Sequence, residues 1–330
     1  MKAAIIAEAG KGPTYGDFGE PVAQPGQEII AVSAAALTHF TKGRASGAHY
    51  SSDRIFPAVV GADGVGRTQD GRRVYFVLPE APFGAMAEKT LVRSTHCVAV
   101  PDGVDDITAA AIANPGMSSR AALAERAHLK PGETVLVNGA TGIAGRLAVQ
   151  IAKSMGAGKV IATGRDKSAL EELKSIGADV VIPFSLAASD SEGAQQYEKA
   201  LKEQFSAGVD VVIDYLWGKS AETVILAAAK AGNEAIPVRF IQVGGASGED
   251  IQLPGAALRS SAVVLMGSGI NNVGFPGLLA AIHSVFQSVI PANLKINAKA
   301  VPLSAVEKTW DEDSGNARVV FIMSEQPKSF

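Results

Sequence analysis

The stretch Thr134 to Asp166, TVLVNGATGIAGRLAVQIAKSMGAGKVIATGRD, constrains the fold more than any other part of the chain. Thr134, Val135, Leu136 and Val137 form a short apolar, mostly β-branched run, which is the pattern of a strand buried on both faces of a parallel sheet. Gly139, Gly142 and Gly145 follow, and then Leu147, Val149, Ile151, Ala152 and Met155 continue as one apolar helical face. A second strand, Val160 to Thr163, closes the unit. Strand, glycine turn, helix and strand in this order read as a dinucleotide-type βαβ unit. Gly142 leaves room for a pyrophosphate to approach the backbone, and Gly145 lets the helix pack close to the strand. The amides of the helix's first turn, at Ile143 and Ala144, supply the anion site. One departure stands out: Ala140 occupies the place of the usual first glycine, with Gly139 one position earlier.

The end of the second strand selects between cofactors. An NAD site places a carboxylate there for the ribose hydroxyls, whereas an NADP site removes it and offers Arg to the 2′-phosphate. Here the strand ends in Gly164 and Arg165, so NADP(H) is the expected cofactor. A guanidinium grips phosphate with two parallel hydrogen bonds, and Lys167 adds a second positive charge. The alternative register makes Arg165 a solvated loop residue and Asp166 the ribose ligand.

A chain of 330 residues suggests two domains, and 47% hydrophobic residues fit a globular enzyme. The net charge of −3 and the lack of any Lys/Arg run argue against nucleic acid as a partner. Cys97 is the one cysteine, which excludes an internal disulfide and fits a reducing compartment. The apolar run after Met1 is broken by Glu8 and Lys11, too early for a membrane span, so a cytoplasmic location is expected.

The half before about residue 115 reads as short strands and turns, with candidates at Met1 to Ala7, Glu28 to Ala34, Arg73 to Val77 and Ala87 to Val92. From Asp105 the chain turns Ala-rich and helical, with a predicted interruption at Asn114-Pro115-Gly116. Helix and strand patterns then alternate up to a sixth strand at Ala262 to Met266, which makes one doubly wound parallel sheet. A helix at Gly277 to Val289 precedes short β-like segments that end in Arg318 to Ile322. The expected class is therefore α/β, with a discontinuous β-rich domain (1–117 and 269–330) and a dinucleotide-binding domain (118–268).

The phrases FPAVVGADGVG and LKPGETVLVNGATGIAGRLAVQIAK, the Val243-Gly244-Gly245 turn and the closing ARVVF together resemble the medium-chain dehydrogenase/reductases, in their zinc-independent quinone oxidoreductase-like branch. The resemblance covers essentially the whole chain. It implies a GroES-like catalytic domain, a Rossmann domain, NADP(H), and a quinone or α,β-unsaturated carbonyl as substrate. It also implies a homodimer paired through the edge strand Ala262 to Met266.

Metal-dependent relatives carry G-H-E-x-x-G, whose His binds zinc; the matching stretch here is Gly61-Ala62-Asp63-Gly64-Val65-Gly66, and Ala62 cannot be a ligand. Thr38 and His39 stand in the region of the relatives' first ligand, and His39, His49 and His96 share no ligand spacing, so no metal site is expected. In the substrate-side loop Thr38, His39 and Thr41 replace the family's Asn, Pro and Asp, while Arg44 and Gly47 remain. By the resemblance, Tyr50 is the candidate catalytic hydroxyl, with a packing role as the alternative. Ser118 matches a Thr at the nicotinamide end, and Val243, Gly244 and Gly245 match the turn beneath the ring. An enoyl thioester reductase, or a non-catalytic NADPH-binding protein of sensor or crystallin-like type, are the alternatives. Tyr215 and Lys219 have the Tyr-x-x-x-Lys spacing of short-chain dehydrogenases, but lie too close behind the glycine turn to share that role, so Tyr215 is read as lining or packing.

Overall fold

A computed structural model describes residues 1–187 and 189–323; the end of the expected second segment of the β-rich domain, 324–330, lies outside them. The chain divides into two compact units, Met1–Asn114 with Val289–Phe330, and Pro115–Ser288.

The first unit begins with β1 (Lys2–Ile6), β2 (Thr14–Asp17), β3 (Gln27–Ala36), α1 (His39–Ala45), β4 (Ala58–Val59), β5 (Asp63–Thr68), β6 (Arg73–Val77), β7 (Lys89–Arg93) and β8 (Cys97–Ala99). β1 pairs antiparallel with β2 and β4 in a small sheet. The ten-residue β3 anchors the larger one, with β5 and β7 both antiparallel to it. α1 is an element the sequence reading misses. Gly43 inside it lowers helix propensity, yet Thr38 caps it by accepting from the Thr41 amide at 3.0 Å.

α2 (Asp106–Ala121) runs straight through Pro115, which corrects the predicted interruption. A proline inside a helix removes one backbone bond and costs about 3 kcal/mol. The residues before it, Ala109 to Ala113, are fully buried, so tertiary packing favours the continuous helix against that local cost; the Ser118 and Ser119 hydroxyls both donate to the Pro115 carbonyl at 2.9 Å.

The second unit continues with β9 (Thr134–Asn138), α3 (Ile143–Ser154), β10 (Lys159–Gly164), α4 (Lys167–Leu173), β11 (Val180–Pro183), α5 (Ser191–Ala207), β12 (Val211–Asp214), α6 (Gly218–Ala231), β13 (Val238–Gln242), α7 (Gly255–Arg259), β14 (Val263–Gly267), α8 (Ile270–Val273) and α9 (Phe275–Val289). The six strands form one parallel sheet in the order β11-β10-β9-β12-β13-β14. The chain winds outward from β9 and then returns to its other side, so the strand order reverses between β9 and β12. Leu136, Val212, Val224, Phe240 and the ring of Tyr197 fill one core against this sheet. α9 up to Ser288 groups with this unit, where the sequence reading begins the other domain at 269: Leu278 and Ala281 pack on Ala121, and Gly116 lies close against Val285.

The last strands, β15 (Ala298–Pro302) and β16 (Arg318–Ile322), with the one-turn helix α10 (Val306–Thr309) between them, belong to the first unit. β16 pairs antiparallel with β3 and completes the sheet path β15-β16-β3-β5-β6-β8. Among the described residues no helix is long and apolar enough to cross a membrane.

Candidate functional site

In open α/β sheets ligands bind outside the carboxyl ends of the strands, where the strand order reverses. In the second unit that place is the pair β9 and β12, whose last residues Asn138 and Asp214 are register partners. β9 runs into Gly139 and Ala140, and α3 starts at Gly142, which is exposed, extended (φ −73°, ψ 166°) and without a side chain bonding the first amides. A Cβ on Gly142 would meet nothing closer than 3.8 Å, so the space above the turn is open. On Gly145 the same atom would lie 2.3 Å from the Gly139 carbonyl oxygen and 2.6 Å from the Ala140 Cα, so α3 sits hard against the turn. Ile143 and Ala144 complete a first turn whose uncapped amides can hold an anion.

β10 lies beside β9 and ends against the same turn: a Cβ on Gly164 would be 2.7 Å from the Thr141 methyl. No carboxylate fits there. Arg165 and Lys167 are exposed, and neither forms a salt bridge among the described residues. Asp166 caps α4, accepting from the Ala169 amide at 3.0 Å, so one of its oxygens is already committed.

On the other side of the reversal, the amides of Val243 and Gly244 both donate to the Asp214 carbonyl, at 2.8 and 3.1 Å. Gly244 packs on Tyr215, whose carbonyl a Cβ would approach to 3.0 Å. Gly245 continues this turn, and Ala246 donates to that same carbonyl at 3.1 Å. Burial raises the Tyr215 phenol to about 12, and its oxygen lies 2.8 Å from the Ser119 hydroxyl. Tyr215 therefore packs on α2, while Lys219 pairs with Glu222. The Ser118 and Ser119 hydroxyls both turn back onto the Pro115 carbonyl of their own helix, and Ser119 in addition meets the Tyr215 hydroxyl.

Beneath both turns lies a fully buried polar cluster. Asn138 donates to Asp214 at 2.7 Å, and its carbonyl oxygen accepts from Thr163 (2.7 Å), Ser220 (3.0 Å) and Tyr197 (3.3 Å). Burial pushes the Asp214 carboxyl up to about 6, against hydrogen bonds from Asn138 and from the amides of Leu216 and Trp217. A polar residue closing each of two apolar strands, TVLVN and VVID, is the only sequence signal for it.

The remaining candidates lie in the first unit. Tyr50 is 65% exposed, and its ring leans on His49 at 4.2 Å between centroids. Arg44 is engaged by the Ser51 hydroxyl at 2.9 Å and by Asp53 at 2.5 Å. Arg44 and Asp53 line a cavity of about 70 Å³ with Thr41, Ile55 and Phe56. Ala62 is buried and offers no donor atom. Its neighbour Asp63 is buried too: it accepts from the Tyr75 phenol at 2.7 Å, and its other oxygen has no hydrogen-bond partner among the described residues. Burial lifts this carboxyl to about 6 despite that bond and the charge of Arg318. His49 bonds the Ser51 hydroxyl at 2.8 Å, and His96 faces the Val77 carbonyl at 3.2 Å. Among the described residues no three His, Cys, Asp or Glu side chains stand together as a metal site.

Comparison with known proteins agrees with this architecture. Residues 144–284 match the family model described as zinc-binding dehydrogenase. The chain is 26% identical to the probable NADPH-dependent quinone reductase tdiC of Emericella nidulans, over 94% of this chain and 96% of that protein. A probable oxidoreductase from Mycobacterium abscessus is structurally similar with a TM-score of 0.75 at 26% identity, covering 97% of this chain and 99% of the other. The quinone oxidoreductase from Thermus thermophilus, solved also with NADPH, shares the fold with a TM-score of 0.76 at 22% identity, over 98% and 100% of the two chains. Together with the parallel six-stranded sheet, the close-packed glycine turn and the separate β-rich unit, these likenesses support the resemblance to the medium-chain dehydrogenase/reductases, in their quinone oxidoreductase-like branch.

Proposed function

We propose that this oxidoreductase uses NADPH to reduce a quinone or an α,β-unsaturated carbonyl without a catalytic metal. The observation that carries the cofactor half is the exposed Arg165, outside any salt bridge among the described residues, beside Gly164, where packing against Thr141 excludes a carboxylate. The residues present fit the group: Gly142 leaves space for a pyrophosphate, the Ile143 and Ala144 amides would hold it without a competing cap, and Arg165 and Lys167 would hold the 2′-phosphate. Val243, Gly244, Gly245 and Ser118 form the nicotinamide end of this reading. When bound, the nicotinamide supplies a hydride. Ala62 offers no metal ligand, so an acceptor that spreads its own developing negative charge suits the site best, and a conjugated carbonyl does so.

Arg165→Ala removes a two-pronged phosphate contact, so the Kd for NADPH should rise about tenfold to a hundredfold while that for NADH barely moves. Equal Kd values for the two cofactors in the unmodified protein would refute the assignment. Tyr50, exposed and ring-supported by His49, is the proposed donor to the acceptor oxygen. Tyr50→Phe keeps that ring and should lower kcat about tenfold with NADPH binding unchanged; undiminished turnover would leave Tyr50 a packing residue.

The deciding experiment follows NADPH oxidation with a quinone, an enone, an enoyl thioester and an alkyl aldehyde. Turnover with the first two and little with the aldehyde is expected. Preference for the thioester would move the protein to the enoyl reductases, and failure of every acceptor in a protein that binds NADPH would make it a non-catalytic binder. The exposed Val264 on the edge strand β14, with Leu258 and Ile236, supports a homodimer paired there, which light scattering tests. The single cysteine of the sequence, Cys97, supports a reducing, cytoplasmic setting.

A further inference from the structure

We infer that Asp214, locked by Asn138, is a positioning residue that sets the Leu216–Trp217 turn as a wall of the dinucleotide site. The inference rests on the reading of the 139–145 turn as that site. Asp214 Oδ1 accepts from the Asn138 side chain at 2.7 Å and from the Leu216 amide at 3.1 Å, while Oδ2 accepts from the Trp217 amide at 3.0 Å. Leu216 is in turn the side chain against Gly139, whose absent Cβ would fall 2.8 Å from the Leu216 Cγ. The carboxylate thus ties the turn after β12 to the glycine turn after β9, across the point where the strand order reverses.

The turn needs holding. Trp217 has φ +56° and ψ −157°, a backbone state that is essentially reserved for glycine and costs about 1–3 kcal/mol in other residues. Such a conformation persists only where its surroundings over-determine it. Three contacts do so here: the Trp217 amide on Asp214, the Ser247 amide on the Leu216 carbonyl at 2.7 Å, and Gly218, where a Cβ would come within 2.9 Å of the Ser247 oxygen. Asn138 has no freedom of its own, because hydroxyls from β10, α5 and α6 all converge on its carbonyl oxygen.

Asp214→Asn isolates the contact. Two donors meet Oδ1 and one meets Oδ2, so the amide nitrogen of the variant must face Trp217, where donor meets donor. A proton on Asp214 would sit on the same oxygen, so the variant reproduces the protonated form. Among the described residues the one titratable side chain that bonds this cluster is Tyr197 of α5, whose phenol burial raises far above neutrality; Asn138, Thr163 and Ser220 do not titrate, and no described charge shifts Asp214. The test is made in full-length protein carrying Trp310→Phe, which leaves Trp217 as the sole indole.

The parent's emission should change as the pH falls from 8 to 5, with a midpoint near 6, and Asp214→Asn should show the low-pH emission at every pH. At pH 8 the variant's Kd for NADPH should rise at least tenfold, with KM for NADPH rising more than kcat falls. Parent-like emission and parent-like NADPH affinity in Asp214→Asn would overturn the inference. A pH-independent parent would overturn it as well, whether or not the variant folds. A parent that shows the emission change but binds no NADPH would refute the cofactor reading and leave the positioning intact.

Discussion

Gly142→Ala is expected to weaken NADPH binding at least about a hundredfold and leave the fold intact, whereas Gly145→Ala, three residues away, should destabilise the fold by at least about 3 kcal/mol and weaken binding with it. The two glycines differ in what surrounds them. At Gly142 the backbone is extended and open to any residue, and a methyl group would touch nothing within 3.8 Å. Alanine is a poorer helix cap than glycine, so the stability cost stays within about 1 kcal/mol. That methyl would nevertheless stand where a pyrophosphate has to meet the α3 amides, and a loss of affinity of at least about a hundredfold follows from the displaced contacts. Gly145 is the reverse case. Alanine would ordinarily favour a helix interior by about 1 kcal/mol. Here its Cβ would press to 2.3 Å and 2.6 Å on the backbone of Gly139 and Ala140, and no rotamer can relieve a backbone clash. Pushing α3 off β9 should cost at least about 3 kcal/mol. Thermal melts paired with NADPH titrations read both outcomes. Normal NADPH affinity in a well-folded Gly142→Ala would show that no phosphate lies over this turn.

What the sequence makes legible, and what it conceals, follows one physical line. The β9–α3–β10 unit is readable because its signals are local: a β-branched apolar run, glycines a few residues apart and a helical stripe all fall within Thr134 to Asp166. Gly164 and Arg165 are readable for the same reason. The Asn138 cluster is not, since its partners are 25, 59, 76 and 82 residues away and meet only when the sheet closes. Pro115 misleads because local chemistry disfavours a helix there, while the buried alanines before it are a tertiary gain that no local rule contains. α1 escapes because Thr38 is an ordinary cap, and Gly43 and the polar residues around it hide the helix. Family position alone points to Ser118, and the side-chain geometry favours its neighbour Ser119 for contact with Tyr215.

Asp63 shows the same limit and carries the second large effect. In the sequence it is one letter of Gly61-Ala62-Asp63-Gly64, read for the histidine missing before it. In the fold it is a carboxyl at 2% exposure with one oxygen on Tyr75 and the other without a hydrogen-bond partner among the described residues, and burial raises it from 3.8 to about 6. The folded protein therefore holds this proton more tightly than the unfolded chain does. Between pH 4 and 6 the folded state binds more protons, so stability falls as the pH rises through that window and the loss is complete above it. A rise of that size corresponds to about 3 kcal/mol. Asp63→Asn keeps the acceptor for Tyr75 and removes the charge, so its own stability should lack this slope. The difference between wild-type and variant unfolding free energies, measured by denaturant titration from pH 4 to pH 8, should move by about 3 kcal/mol in favour of the variant as the pH rises. A difference that stays constant across that range would mean that Asp63 ionises in the fold as freely as in water, with its burial offset by the Arg318 charge.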